Sequence, residues 1–240
     1  MVELGLCPSR EKAQARIMAG EVLVDDVPCT KAGTKIKPES EIRLKGDACP
    51  YVGRGGEKLK GAIDFFKVDL KDKIGLDIGA STGGFTDCLL QEGVSRVYAV
   101  DVGTNQLAHK LRVDTRVDCY EKTHVKDLES LELDPKPNLV VVDVSFISLK
   151  KVIPFIIPVI SSSSILLVLV KPQFELSPQK IGKGGIVKSE QDALDVIEDM
   201  RTFLQSSSLE VLGVKESILK GRKSGNQEYF MLLRTVETIF

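Results

Sequence analysis

The sequence lacks tryptophan altogether, and aromatic residues make up only 5% of its 240 positions. Its five cysteines are scattered and contain no C-x-x-C pair, which argues against a disulfide framework and a zinc ribbon. Only two histidines are present, so no metal site is expected. The charges nearly cancel, at −1, which means that any nucleic-acid interface must be local rather than spread over a basic surface.

One stretch could suggest a membrane segment, because residues 152–170 carry no charge. Pro154, Pro158 and the four serines at 161–164 interrupt it, so a helix end, a loop and a buried strand are expected instead. The N-terminal residues show no basic region followed by an apolar run of signal-peptide length. Together with the unpaired cysteines, these features predict a cytoplasmic protein without a membrane span.

The chain is expected to divide into a small α+β unit and a large α/β unit. In the first unit Ser9 can cap a helix that ends before Gly20, and short strands are expected at 21–24 and 41–44. A segment that contains Pro50 then breaks the pattern and indicates a linker. The predicted boundaries are 1–47 for the first unit, 48–53 for the linker and 54–240 for the second unit.

The second unit alternates apolar strand patterns with helical ones. This alternation is typical of a doubly wound, mostly parallel sheet, and the polar loop before the last strand predicts that this strand is antiparallel. Helices are expected at 57–66, 85–91, 106–111, from about 150, and from Ser189 to about 204. Seven strands are expected, at 74–78, 96–100, 117–120, 139–142, 165–170, 209–218 and 228–235.

A glycine-rich turn follows the first of these strands, in the sequence from Asp77 to Phe85. It is not a G-x-G-x-x-G motif, and the Asp77 carboxylate would repel phosphate, so a dinucleotide cofactor is disfavoured. Asp101 ends the next strand, where an acidic side chain can accept hydrogen bonds from ribose hydroxyls. Together these residues indicate a nucleoside with a charged amino-acid tail, which describes S-adenosylmethionine. The alternative is a structural glycine turn with a solvated aspartate.

Four charged residues are predicted to converge on the same crevice. Asp143 and Lys171 each follow an apolar strand, Glu228 begins the last strand, and Lys58 lies on the helix before the first strand. Two lysines and two carboxylates would neutralise one another, and a lysine held beside a hydroxyl can favour the alkoxide or take its proton. The alternative is that each charge is simply solvated at a strand end.

These residues lie in a set of motifs that resembles the hemolysin A (TlyA-type) family, S4-domain relatives of the FtsJ-like 2′-O-ribose methyltransferases. The resemblance implies a Rossmann-like, seven-stranded methyltransferase domain that uses S-adenosylmethionine. The matching stretches span nearly the whole second unit in order; they are residues 54–59, 77–85, 143–149, 171–175, 184–187 and 226–230.

The resemblance also implies roles for individual residues. Lys58, Asp143, Lys171 and Glu228 would be the catalytic set, in which Lys171 activates the ribose hydroxyl. His124 stands where relatives often carry asparagine near the adenine. The implied cofactor-binding residues are Asp77, Gly79, Ala80, Ser81, Thr82, Gly83, Gly84, Phe85, Asp101, Val102, His124 and Asp143.

The first 47 residues resemble an S4 RNA-binding domain, although the usual Arg-Leu-Asp opening before the first helix is missing. This unit has as many acidic as basic side chains, but its basic residues cluster on one helix, where Lys12 and Arg16 share a face, and in the loop that follows. The alternative is an ordinary solvated helix. The predicted RNA-binding residues are Arg10, Lys12, Arg16, Lys31, Lys35 and Arg54.

The sequence therefore predicts an enzyme that methylates the ribose 2′-hydroxyl of ribosomal RNA, either free or within a ribosomal subunit. The 2′-hydroxyl distinguishes RNA from DNA, so no DNA partner is expected. Three alternatives remain open at this stage: a catalytically idle RNA-binding protein, a membrane-active hemolysin, and a nicotinamide-dependent oxidoreductase.

Overall fold

In the computed structural model the chain forms two compact units, residues Met1–Pro50 and Tyr51–Phe240. The structure describes residues 1–25, 27–44, 49–221 and 224–236. The predicted end of the first unit at Asp47 and the start of the linker at Ala48 lie outside these residues.

The first unit consists of one helix and a small antiparallel sheet. Helix α1 (Arg10–Met18) begins where the Ser9 hydroxyl accepts a hydrogen bond of 3.3 Å from the Lys12 amide, which confirms the predicted cap. Strands β1 (Val22–Val24), β2 (Val27–Pro28) and β3 (Ile42–Leu44) follow, with β1 in the centre. The two-residue strand β2 has no counterpart in the prediction.

The second unit is a seven-stranded sheet with helices on both faces, as predicted. Its helices are α2 (Gly55–Phe66), α3 (Gly84–Gln91), α4 (His109–Arg112), α5 (Ile153–Ile156), α6 (Pro172–Glu175) and α7 (Glu190–Ser206). Its strands are β4 (Ile74–Ile78), β5 (Arg96–Val100), β6 (Val117–Tyr120), β7 (Leu139–Val142), β8 (Ile165–Val170), β9 (Leu209–Glu216) and β10 (Tyr229–Thr235).

The strand order in this sheet is β6-β5-β4-β7-β8-β10-β9. Strands β4 to β8 are parallel, whereas β10 runs antiparallel to both of its neighbours, as predicted for the last strand. The chain winds outward from β4 in one direction and then returns to β7 on its other side. The switch point therefore lies between β4 and β7, where open α/β sheets bind their ligands.

Alternate residues of the central strands pack on opposite faces of the sheet. Val141 of β7 packs with helices α2 and α3, whereas Val140 and Val142 pack with α5 and α7. Because both faces are covered by helices, the central strands are almost wholly apolar, with Asp77 of β4 as a buried exception. Among the described residues, no helix combines the length and hydrophobicity that a membrane crossing requires.

The structure corrects several predicted boundaries. The helix expected at 106–111 is the short α4, and the strand expected at 209–218 ends at Glu216. The helix expected from residue 150 is three short pieces, 3-10 turns at Leu149–Lys151 and Ile157–Val159 on either side of α5. Pro154 and Pro158 explain this break, because proline has no N–H to donate within a helix.

Candidate active site

The glycine-rich turn after β4 passes so close to the end of β7 that only glycine fits at one position. Gly79 has a φ of +84°, and a Cβ there would lie 2.5 Å from the carbonyl oxygen of Asp143. Gly83 also has a positive φ, of +94°, where the turn enters α3. The turn therefore lies directly against the first residue of the segment that follows β7, at the switch point.

The carboxylate of Asp101 fixes the far side of this turn. Its Oδ2 accepts a hydrogen bond of 2.8 Å from the Ser81 amide, and its Oδ1 accepts one of 2.6 Å from the Gly103 amide. Val102, next to it, exposes 66% of its surface. Asp101 thus links the ends of β4 and β5, at the place where a bound ribose was predicted.

Asp77 lies inside β4 rather than at its exposed end. Its side chain is fully buried, and its Oδ2 accepts a hydrogen bond of 2.6 Å from the Thr86 hydroxyl. Among the described residues, Oδ1 has no hydrogen-bond partner. Burial in these apolar surroundings raises the pKa of Asp77 to about 7. The alternative of a solvated aspartate at this position is therefore wrong.

A crevice opens above the turn, between it and the segment that leads into α2. Most of the predicted cofactor-binding residues of the turn line it, and so does Asp143. The segment from Gly53 to Gly55 forms the opposite wall, although no cofactor role was predicted for it. The lining residues are Gly53, Arg54, Gly55, Gly79, Ala80, Ser81, Thr82, Gly84, Phe85 and Asp143.

His124 lies outside this lining, in the loop after β6. It is exposed, and its Nδ1 accepts a hydrogen bond of 3.2 Å from the Lys126 amide, so it caps the 3-10 helix Val125–Leu131. Its predicted contact with an adenine stays a prediction.

The structure brings two of the four predicted charged residues together at the end of β7 and β8. Lys171 Nζ lies 2.6 Å from Asp143 Oδ1 and donates a hydrogen bond of 3.0 Å to the Ser145 hydroxyl. The two charged side chains expose only 11% and 22% of their surface. Such shielding strengthens their attraction, so the pair is not a solvated strand-end contact.

The other two charged residues form a second ion pair. Lys58 Nζ lies 2.6 Å from Glu228 Oε2, and only 4% of the Glu228 side chain is exposed. Glu228 directly precedes Tyr229, which is paired with Val170 across the β8–β10 ladder. Because Lys171 directly follows Val170, this register places both ion pairs at the same end of the sheet.

Three further contacts join the segments that follow Asp143 and Lys171. The rings of Phe146 and Phe174 lie 5.1 Å apart, and the Glu175 carboxylate accepts hydrogen bonds from the Ser148 hydroxyl, at 2.5 Å, and the Leu149 amide, at 2.8 Å. Burial raises the pKa of Glu175, and these hydrogen bonds partly offset the shift. The sequence motifs contain all of these residues, but no role was predicted for them.

Phe146 is the most exposed large apolar side chain at this end of the sheet. It exposes 88% of its surface, and its φ of +62° is rare for an aromatic residue. The Phe174 ring lies 5.9 Å from Lys171 Nζ and 5.1 Å from the Phe146 ring. Phe146 is therefore close to the Lys171–Asp143 pair, and one face of its ring is exposed. No sequence pattern distinguishes it from an ordinary loop residue, because exposure is decided by the fold.

In the first unit, the predicted RNA-binding residues Arg10, Lys12, Arg16, Lys31 and Lys35 are all exposed. Arg16 lies 3.8 Å from Glu21, an exposed pair that contributes little to stability. Arg10 and Lys31 flank a groove on this unit. Arg54 belongs to the second unit, where it lines the crevice.

Comparison with known families gives two matches. The family of FtsJ-like methyltransferases matches residues 51–235, and the S4 domain matches residues 1–42. The first match covers the crevice and both ion pairs, and the second covers the helix and most of the small sheet.

Similar proteins cover nearly the whole chain. Hemolysin A of Brachyspira hyodysenteriae is 42% identical over 94% of this chain and 93% of its own length. The 16S/23S rRNA (cytidine-2′-O)-methyltransferase TlyA of Mycobacterium tuberculosis is 39% identical over 98% of this chain and 88% of its own. A solved structure from Streptococcus thermophilus, named a candidate hemolysin, is 39% identical, covers 97% of this chain and 85% of its own, and superposes with a TM-score of 0.81.

Proposed function

The chain belongs to the family of FtsJ-like methyltransferases and carries an S4 domain, and from this premise we propose that it methylates a ribose 2′-hydroxyl of ribosomal RNA. The observation that carries the proposal is the Lys171–Asp143 ion pair, which lies beside a glycine-walled crevice at the switch point of the sheet. The relatives named as rRNA 2′-O-methyltransferases and the S4 domain support RNA as the substrate.

The lining of the crevice suits S-adenosylmethionine. Four of its residues are glycines, at positions 53, 55, 79 and 84, so few side chains project into the space beside the turn. Ala80, Ser81 and Thr82 would surround the methionine portion, and Asp101 and Val102 would lie along the ribose and adenine. When bound, this cofactor supplies an electrophilic methyl group on a sulfonium, and its transfer to O2′ breaks the carbon–sulfur bond and releases S-adenosylhomocysteine.

Lys171 would hold the attacking oxygen. Its Nζ is fixed from one side by Asp143 and from another by the Ser145 hydroxyl, so its position is defined before substrate arrives. A hydrogen bond from Nζ to O2′ would stabilise the negative charge that develops as the hydroxyl proton leaves to water. Holding the oxygen in line with the methyl group would supply much of the rate enhancement.

Lys58 and Glu228 would keep the site's charge balanced without touching the reacting atoms. Their pair is more deeply buried than that of Lys171 and Asp143, and breaking it would leave an uncompensated charge in the interior. We propose that this second pair orients the end of β10 beside Lys171. The S4 domain would hold structured ribosomal RNA, and because ribosomes are cytoplasmic in bacteria, we propose that the enzyme acts in the cytoplasm.

Methyl transfer from radiolabelled S-adenosylmethionine to unmodified bacterial ribosomes tests the proposal. We expect label in a 2′-O-methylated nucleoside after digestion, and a loss of at least about a hundredfold in Lys171→Ala if Lys171 stabilises the oxygen. Lys71→Ala is the matched control, because Lys71 is an exposed lysine in the turn before β4, at the opposite end of the sheet.

Two outcomes would contradict parts of this proposal. A Lys171→Ala enzyme with near-normal turnover would remove Lys171 from the reaction. Cofactor binding by calorimetry without any labelled nucleoside, in the unaltered protein, would favour an RNA-binding protein that has lost its catalytic activity.

A further inference from the structure

The buried side chain of Asn226 links the segment before β10 to the loop at residues 185–187, and neither segment contacts the ion pairs described above through this side chain. It is only 6% exposed, its Oδ1 accepts a hydrogen bond of 3.0 Å from the Val187 amide, and its Nδ2 donates one of 2.8 Å to the Gly185 carbonyl. Both ends of the amide are therefore used, and both bind backbone. Asn226 lies two residues before Glu228, on the segment that enters β10.

The backbone that Asn226 holds forms a tight turn at residues 181–187, which we call the glycine hairpin. Ile181 and Val187 pair as an antiparallel bridge, and the Gly182 amide donates a hydrogen bond of 2.7 Å to the Ile186 carbonyl. Gly184 and Gly185 form its tip, with φ values of +77° and +79° and nothing within 4 Å of where a Cβ would stand. No side chain would therefore obstruct an incoming molecule on the side where these two Cβ atoms are missing.

Lys183 brings an available positive charge to this tip. It is exposed, and no carboxylate of the described residues forms an ion pair with it. The two neighbouring lysines are already engaged, since Lys180 pairs with Asp192 at 2.6 Å and Lys188 donates to the Gln179 carbonyl at 2.7 Å. Within the described part of the chain, the Lys183 ammonium is therefore free of any ion pair, and its backbone is fixed through Asn226 to the segment that enters β10.

We propose that the glycine hairpin binds a backbone phosphate of the RNA next to the methylated nucleotide, and that Asn226 is a positioning residue for it. This inference rests on the proposed function, because it takes RNA as the substrate. Lys183 neutralises the phosphate, and the two glycines let the strand approach the backbone without side-chain obstruction. Asn226 sets the distance between this contact and the segment that carries Glu228.

Salt-dependent binding of the full-length protein to unmodified bacterial ribosomes tests the hairpin. Each neutralised phosphate releases counterions, so we expect Lys183→Gln to make the slope of log affinity against log salt shallower by about 0.7 to 0.9. At physiological salt the affinity is expected to fall roughly three- to fivefold. Lys71→Gln is the control, and it should leave both quantities unchanged.

Equal slopes and affinities for Lys183→Gln, Lys71→Gln and the unaltered protein would overturn the hairpin's role while leaving methyl transfer by the unaltered protein intact. Failure of the proposed function is seen separately, as the absence of methyl transfer from the unaltered protein itself. Because Lys183 lies at an exposed tip, its substitution does not threaten the fold, and this variant decides the question alone.

The role of Asn226 is tested by the same slope. Asn226→Ala frees the hairpin, so we expect it to reproduce the shallower slope, with little further loss when Lys183→Gln is added. Asn226→Asp, which keeps the side chain's size and its bond from Val187 but not its bond to Gly185, serves if the alanine variant does not fold. If the folded variant showed the same slope of log affinity against log salt as the unaltered protein, the positioning role would be overturned. A purely structural residue does not change counterion release.

Discussion

At the scale of single residues, the site combines charged side chains that are held in ion pairs with one aromatic side chain that is almost wholly exposed. Lys171, Asp143, Lys58 and Glu228 are fixed in pairs, whereas Phe146 exposes a free ring face beside Lys171. An exposed aromatic ring beside a site for a ribose is suited to stacking on the attached base.

We expect Phe146→Ala to lower kcat/KM for the ribosomal substrate by about 5- to 150-fold, because a base–aromatic stack is worth about 1 to 3 kcal/mol. Unfolding stability should hardly change, since the ring is almost wholly exposed. Steady-state methyl transfer checks this, with Phe155→Ala on α5 as the control for loss of a partly exposed phenylalanine. Equal losses in both variants would contradict a stacking role.

Asp77 predicts a pH dependence of stability. Burial raises its pKa to about 7 in the folded state, from an ordinary value of 3.8. The folded protein therefore holds a proton that the unfolded chain releases, so this residue's contribution is fully present below about pH 4 and is lost as pH rises towards 7.

We therefore expect the free energy of unfolding of Asp77→Asn to increase relative to that of the unaltered protein as pH rises from 4 to 7. The relative increase, measured by urea unfolding, should be on the order of 3 kcal/mol. Asp127→Asn, at an exposed position, is the control. Parallel stability profiles for the unaltered protein and Asp77→Asn would show that the buried carboxyl does not titrate in this range.

At the scale of elements, the backbone of the glycine turn at Gly79 lies very close to the backbone of the segment that follows β7. A Cβ at Gly79 would lie 2.5 Å from the Asp143 carbonyl oxygen, so the backbone must move if any side chain is added. The crevice and the Lys171–Asp143 pair meet at this point, so a shift there alters both.

We expect Gly79→Ala to weaken S-adenosylmethionine binding at least about tenfold, because the clash adds to the strain of a positive φ. Gly93→Ala is the matched control, since Gly93 has a φ of +91° but its nearest contact would be at 3.9 Å. Calorimetric titration with the cofactor checks the difference. Similar affinities for the two variants would show that the close approach does not shape the cofactor site.

At the scale of the whole molecule, we propose that the first unit holds RNA away from the reaction, whereas the second unit binds the cofactor and the RNA around the reacting ribose. The groove on the first unit carries exposed basic side chains, whereas the crevice and both ion pairs lie in the second unit. This division predicts that charge removal in the first unit changes RNA binding alone.

We expect the double variant Arg10→Gln, Lys12→Gln to raise KM for ribosomes and to make binding less sensitive to salt, while cofactor affinity stays unchanged. Lys71→Gln combined with Lys136→Gln, two exposed lysines of the second unit, controls for net charge. An unchanged KM in the first double variant would place RNA recognition elsewhere in the chain.

The sequence by itself determined the fold class and the seven-strand pattern of the second unit, because these depend on local periodicity, and it placed Asp143 and Lys171 directly after apolar strands. Residues 165–170 could be recognised as a buried strand from composition alone, and Ser9 as a cap from its position. Only the tertiary structure decided which charges pair, since Lys58 and Glu228 are 170 positions apart and meet because α2 packs against the sheet beside β10. It also decided that Asp77 is buried, that Phe146 is exposed and that Asn226 holds the glycine hairpin, because burial and partners depend on elements distant along the chain.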